Sequence, residues 1–282
     1  MDPLIRPMRE DDVEPARLVA DAALGIQATS EPLEQRLVRT RSRIAHVLAT
    51  DPGGAWVAEI DGSVVGLSLA LVREGIWGLS LFAVAPDLQA RGIGKALLGA
   101  ALAHGKDARG GIILSSEDPK ALRLYARAGF DLRPTVAAAG IVDRTALPAG
   151  LPVRAANEDD LELAAEVDRE IRGAAHGADL VQMLSNRFRM HVVDGRGYVI
   201  ERDGRAVLLA ARDEDAARAL LWGALAQTPP GGTVHIDFIA AGHDWAVDVA
   251  LTAGLALSPD GALFVRGELG PLAPYLPNGA FL

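Results

Sequence analysis

The sequence predicts an α/β (α+β) chain of two tandem domains, each a mixed, mostly antiparallel sheet flanked by helices. Three observations predict it. The chain has 282 residues, half of them hydrophobic, a length that suits about two domains with sizeable cores. Apolar runs of strand length alternate with Ala- and Leu-rich runs of helical period. The order of these runs in residues 1–144 returns in residues 153–282, after a linker at 145–152 that carries two prolines and Gly150.

Leu4-Ile5-Arg6 starts a short strand. Glu10-Asp11-Asp12 precedes a helix with Val13, Ala16, Leu18 and Ala20, placing carboxylates at its positive end. A second helix is expected from Pro32 to Leu48. Residues 56–60, Asp61-Gly62 and residues 64–72 read as a hairpin, because Asp-Gly between apolar runs is a strong turn signal. Leu79 to Val84 is the next strand, ended by Pro86. A helix then runs from Gly92 to Lys106, and Gly110-Gly111 leads into the strand 112–115. A helix from Pro119 carries Ala121, Leu122 and Tyr125 and is capped by Gly129. Residues from Phe130 and from Val136 to Val142 read as closing strands.

The repeat is explicit in residues. Ile5, Arg6, Asp12 and Gly25 match Val153, Arg154, Asp160 and Gly173 at a constant offset of 148. Trp56, Glu59, Asp61 and Gly62 match Tyr198, Glu201, Asp203 and Gly204 at offset 142. Ala96-Leu97-Leu98 matches Ala219-Leu220-Leu221 at offset 123. The fall from 142 to 123 means that the second copy lacks the strand and loop before its long helix. Asp213-Glu214-Asp215 opens that helix instead, and Ala250 stands at the Tyr125 position. Three carboxylates suit a helix start but repel a bound anion there.

The first copy keeps what the second lacks. Val84 leads through Pro86 into Gln89-Ala90-Arg91-Gly92-Ile93-Gly94-Lys95-Ala96 and a helix. A small-residue turn delivered into a helix start presents unpartnered N–H groups and partial positive charge to an anion. This is a phosphate cradle. It is not the dinucleotide fingerprint, whose third Gly is Leu97 here, nor a P-loop, which needs Ser or Thr at Ala96.

The pattern Gln-x-x-Gly-x-Gly after a strand resembles the pyrophosphate loop of the Gcn5-related N-acetyltransferase (GNAT) superfamily. A second signature of that family, Asn-x-x-Ala-x-x-Leu-Tyr-x-x-x-Gly-Phe, is matched by residues 118–130 at every fixed position except the first, Asp118 for Asn. Together the two span about residues 76–132. The resemblance implies a tandem form with a catalytic first copy, in which two splayed strands make an acyl-CoA cleft, and a degenerate second copy. It implies that acetyl-CoA pairs with Phe82-Ala83-Val84 and lays its diphosphate on Gln89 to Ala96, with Asp118 and Lys120 also on the cofactor side. An amine then attacks the thioester directly, and the Tyr125 hydroxyl protonates the leaving thiolate. A phenol, with a reference pKa of about 10, is protonated at neutral pH as this requires.

The general base is open. Many members carry Glu where this chain has Ser80, which takes no proton usefully. Water, Glu31, Glu34 or Glu117 are the alternatives, with Ser115 and Ser116 as holders of such a water. His46 and His104 read as structural. The tail after Arg266 carries Leu272, Tyr275, Leu276, Phe281 and Leu282 with three prolines, unlike a polar disordered tail. It is expected to dock, with residues 277–282 lining the acceptor cleft near Tyr125 and the Leu282 carboxylate as a base.

Composition narrows the rest. Residues 1–150 carry net charge −1 and residues 151–282 carry −8, so a basic nucleic-acid footprint is absent. No apolar stretch of about 20 residues predicts a membrane span. There is no cysteine, hence no disulfide, thiolate metal site or cysteine nucleophile. The expectation is a cytoplasmic, bacterial acetyl-CoA-dependent N-acetyltransferase for a small amine, metal-free, monomeric or homodimeric. A non-catalytic acyl-CoA sensor and a protein lysine acetyltransferase are the competing readings.

Overall fold

The computed structural model describes residues 3–24 and 33–282. Gly25 of the repeat, Glu31 among the base candidates and the expected helix start at Pro32 lie outside them.

By compactness the chain divides into one unit of residues 1–113 with 280–282, and another of residues 114–279. The first unit opens with β1 (Leu4–Pro7), α1 (Val13–Leu24) and α2 (Leu33–Thr50). A hairpin follows, β2 (Ala55–Ile60) and β3 (Ser63–Arg73), turning at Asp61-Gly62, both at positive φ as the tight turn demands. Then come β4 (Ile76–Val84), α3 (Ile93–His104) and β5 (Gly110–Ser115), whose last two residues pass into the second unit. β1 to β4 pair antiparallel in chain order, and β4 meets β5 in parallel. The sheet buries Leu67, Leu69, Leu71, Ile76 and Ile112. Trp77, fully buried, donates from Nε1 to the carbonyl of Ala101 at 3.0 Å and fixes α3 on the sheet.

The second unit contains α4 (Pro119–Arg127), β6 (Asp131–Ile141), β7 (Arg154–Ala155), α5 (Asp160–Ile171), α6 (Ala178–Ser185), β8 (Arg189–Val193), β9 (Gly197–Arg202), β10 (Arg205–Ala211), α7 (Glu214–Leu225), β11 (Thr233–Ala240), α8 (Asp244–Thr252), β12 (Ala256–Gly267) and β13 (Tyr275–Leu276). The two closing strands read from the sequence are one strand, β6. It is held between β12 and β11, antiparallel to both. The last strand of the first copy is thus flanked by two strands of the second, β11 and β12, an interlock that no local pattern announces. β13, β10, β9, β8 and β7 form a separate antiparallel sheet. β8 is an addition that the sequence reading did not contain.

The repeat has a physical counterpart. Arg6 Nη1 meets Asp12 Oδ2 at 2.6 Å while the Arg9 amide donates to the same oxygen. Arg154 Nη1 meets Asp160 Oδ2 at 2.8 Å while the Asn157 amide donates to it. In both copies the guanidinium holds the carboxyl below its ordinary range, against the opposing push of burial. The deletion is equally concrete. β10 ends at Ala211 and α7 begins at Glu214, with Asp213 Oδ1 accepting from the Ala216 amide at 2.9 Å.

Candidate functional site

In the first unit the parallel ladder between β4 and β5 covers Ile76↔Gly110, Trp77↔Gly111 and Gly78↔Ile112. β4 then continues to Val84. The two strands therefore separate after Gly78, and Phe82, Ala83 and Val84 lie on the stretch of β4 beyond the ladder. β4 is also irregular on its other edge, where Leu69 pairs with Leu81 but Ala70 with Leu79. Ser80 is the extra residue, and such a bulge re-aims a side chain and bends the strand.

The loop after β4 is pinned at both ends by apolar contacts. Val84, Ile93 and Leu97 share a buried cluster with Ala58, against which Phe82 and Leu88 pack. Gln89 reaches back from Nε2 to the carbonyl of Val84 at 3.2 Å. Ala90 and Gly92 take φ of +63° and +87°, and Gly92 is the N-cap of α3 with no side-chain cap. A Cβ at Gly92 would meet nothing within 4 Å, so glycine is required there by backbone conformation and leaves the space over the helix start open. Arg91 and Lys95 are exposed beside it. Ile93 is buried and Gly94 half-buried, so the first-turn N–H groups of α3 rest on a firm base.

In the second unit, α4 starts at Asp118, whose Oδ1 accepts from the Lys120 amide at 2.9 Å. The departure from Asn thus keeps the capping chemistry. Tyr125 is buried, edge-on to Phe264 with centroids 5.5 Å apart. Burial, with Asp118 adding to it, pushes its phenol well above the ordinary value, so the hydroxyl stays protonated. Ser115 is buried and turns its hydroxyl to the carbonyl of Ser116, while Ser116 and Glu117 are exposed. Ala250, at the tyrosine position of the second copy, is fully buried in α8.

Ser80 is 3% exposed and accepts from Arg43 Nε at 3.0 Å. Arg43 carries no sequence signal of a role, and His46 reads from the sequence as structural. His46 lies one turn from Arg43 on α2 and meets Phe281 edge-on at 5.5 Å. His104 lies within 3.3 Å of Asp51. Among the tail residues, Asn278 stays in the second unit, donating to the Val207 carbonyl at 3.0 Å, and only 280–282 join the first. Leu282 is fully buried, and its Cδ1 lies 2.1 Å from where a Cβ on Gly78 would stand. Glycine at 78 is what admits the leucine. The first unit therefore gathers Ser80, residues 82–84, the loop 89–96 and Leu282. Asp118, Lys120 and Tyr125 belong to the second.

The family model described as acetyltransferase (GNAT) family matches residues 22–130. A Pyrococcus horikoshii protein provisionally described as an acetyltransferase is 17% identical, with 99% of this chain and 95% of that chain covered at a TM-score of 0.81. A tandem GNAT protein from the clavulanic acid biosynthesis pathway is 17% identical, covering 94% and 98% at 0.60. A GCN5-related N-acetyltransferase from Sphaerobacter thermophilus is 18% identical, covering 94% and 95% at 0.57. At these identities the likeness is one of fold. No curated protein matches the sequence.

Proposed function

Because the chain belongs to the GNAT superfamily, as a two-domain member, we propose that it transfers an acetyl group from acetyl-CoA to the nitrogen of a small amine. The observation that carries this reading is the sequence of structures in the first unit. A strand parts from its neighbour after Gly78, and its free end runs directly into a glycine turn and an uncapped helix start. The parted edge at 82–84 suits an extended arm added like a strand. The turn at Gln89 to Ala96 suits a diphosphate, with Arg91 and Lys95 as exposed cations beside it. The second copy has neither feature, so cofactor binding is assigned to the first. The functional division at 1–144, 145–152 and 153–282 follows the repeat and is part of this proposal.

The amine nitrogen attacks the thioester carbon, the N–C bond forms and the C–S bond breaks. Tyr125 gives its phenolic proton to the leaving sulfur, with Asp118 and Lys120 at the start of its helix on the cofactor side. The amine proton leaves through water. Ser80 accepts from Arg43, so it acts as a polar neighbour and not as a base. The Leu282 side chain is seated against Gly78. The absence of cysteine fits direct transfer without an acyl-enzyme.

Calorimetric titration of acetyl-CoA beside a thiol-release assay on an amine panel tests the proposal. Saturable binding with amine-dependent thiol release is expected. Binding without release on any amine would make the protein an acyl-CoA sensor, the reading that serine at position 80 favours.

A further inference from the structure

In the second unit the tail stands where the lost strand of the second copy should be. β9 and β10 repeat the hairpin β2 and β3 at the offset of 142, down to its bulge. In the first copy Ala58 pairs with Gly66 and Glu59 with Val64, so Val65 is the extra residue. In the second, Ile200 pairs with Leu208 and Glu201 with Ala206, so Val207 is the extra one. The outer edge repeats as well. β4 lies antiparallel on β3 with Leu67↔Ala83 and Ser68↔Phe82, and the Ala85 amide donates to the Val65 carbonyl at 2.9 Å. The second copy has lost that strand, yet β13 lies antiparallel on β10 with Leu209↔Leu276 and Ala210↔Tyr275. Leu209 and Ala210 are Leu67 and Ser68 at the offset of 142. Asn278 donates from Nδ2 to the Val207 carbonyl at 3.0 Å, a side-chain amide in place of a backbone one. Residues 275–278 thus take the places of residues 82–85.

Backbone bonds lay the tail down along the second unit. The Gly270 amide donates to the Arg172 carbonyl at 3.0 Å, the Leu272 amide to that of Ile171 at 2.8 Å, and the Ala211 amide to that of Pro274 at 3.3 Å. Tyr275 and Leu276 are buried, and Leu276 shares an apolar cluster with Leu209 and Ala211. Without the tail, β10 would present unpaired backbone groups beside an apolar surface, a template for an extended chain. We propose that the β10 edge is a strand-acceptor site selective for the segment from Tyr275 to Asn278, filled here by the chain's own tail and open to the tail of a second copy when its own is released. Main-chain pairing at Leu209 and Ala210 supplies affinity. Selectivity comes from the seat of Leu276 in the cluster and from the bulged Val207 carbonyl, which asks for an amide side chain at position 278. The first copy has no such site, because β4 covers the matching edge of β3. The inference does not depend on the transfer reading.

The test uses the full chain with Leu276→Asp, which puts a carboxylate into the apolar cluster and drives the tail off the edge. The probe is a fluorescently labelled synthetic peptide of residues 268–279. Hydrogen exchange at the Ala211 amide reads the edge, and fluorescence anisotropy reads capture of the peptide. In Leu276→Asp the Ala211 amide should exchange faster than in the wild type, and the peptide should bind one to one and restore its protection. A peptide that itself carries Leu276→Asp should not bind. The wild type should take neither peptide at micromolar concentration, because its tethered tail acts at an effective concentration of about millimolar. Where Leu276→Asp fails to fold, Asn278→Ala reads the same equilibrium. Loss of one hydrogen bond should speed Ala211 exchange by about 2- to 13-fold, and excess peptide should reverse the change. Ala211 protection that neither variant alters, or a released edge that does not capture the peptide, overturns the inference.

Discussion

Gly92 is the sharpest place to test the phosphate cradle. It sits at φ +87° and ψ −11° at the start of α3, and a Cβ there meets nothing within 4 Å. Any L-residue at that position pays about 1–2 kcal/mol for the left-handed backbone, without a steric clash in addition. Gly92→Ala and Gly92→Glu pay this alike, and each should lower the melting temperature by a few degrees. The difference between them is then the charge of the carboxylate and the bulk that carries it. A carboxylate roughly 5 Å from a phosphate oxygen costs about 0.8–3 kcal/mol, for an effective dielectric between bulk water and a protein surface. CoA should therefore bind roughly 4- to 150-fold more weakly to Gly92→Glu than to Gly92→Ala by calorimetry. The gap should shrink at high salt, where the Debye length falls to about 3 Å. Equal CoA affinities for the alanine and glutamate variants would refute the assignment of the diphosphate to this turn.

Tyr125→Phe should lower turnover by about 10²–10⁴-fold with little change in acetyl-CoA affinity, as measured by thiol release and calorimetry. Because burial holds the Tyr125 phenol above its ordinary value, its contribution to stability is complete below about pH 10 and is lost as the pH rises beyond it, so the phenylalanine variant should unfold less steeply in alkali. Removing residues 280–282 deletes two buried side chains, Phe281 and Leu282. Turnover on the preferred amine should fall by at least ten-fold, while the melting temperature falls only as far as the roughly 1.5–3 kcal/mol per buried side chain allows. Asp237 is held at about 2, against the upward push of burial, by the His235 hydrogen bond and the Arg205 charge. Its contribution is present above its ordinary value and lost as the pH falls from there towards 2. Acid titration of stability should accordingly flatten in Asp237→Asn by about 2 kcal/mol.

What the sequence determined by itself was local in cause. A strand, a glycine turn and a helix start read directly from residues 79–98, because backbone conformation at Gly92 and apolar pinning by Leu88 and Ile93 are properties of neighbours in the chain. The α4 helix read equally well from Pro119 through Tyr125, while the structure adds that Asp118 caps it. The repeat and its 19-residue deletion were legible because a lost segment shifts every later match. Tertiary structure alone decided the rest. β6 lies between β12 and β11 through pairings of strands distant in sequence, and strand patterns alone do not choose partners. Arg43 reads in sequence as one more cation on an arginine-rich helix, and meets Ser80 across 37 positions. The tail announced through its apolar residues that it would dock, yet only packing decided where it divides. Residues 271–279 stay in the second unit, and Leu282 enters the first because Gly78 has no side chain to exclude it.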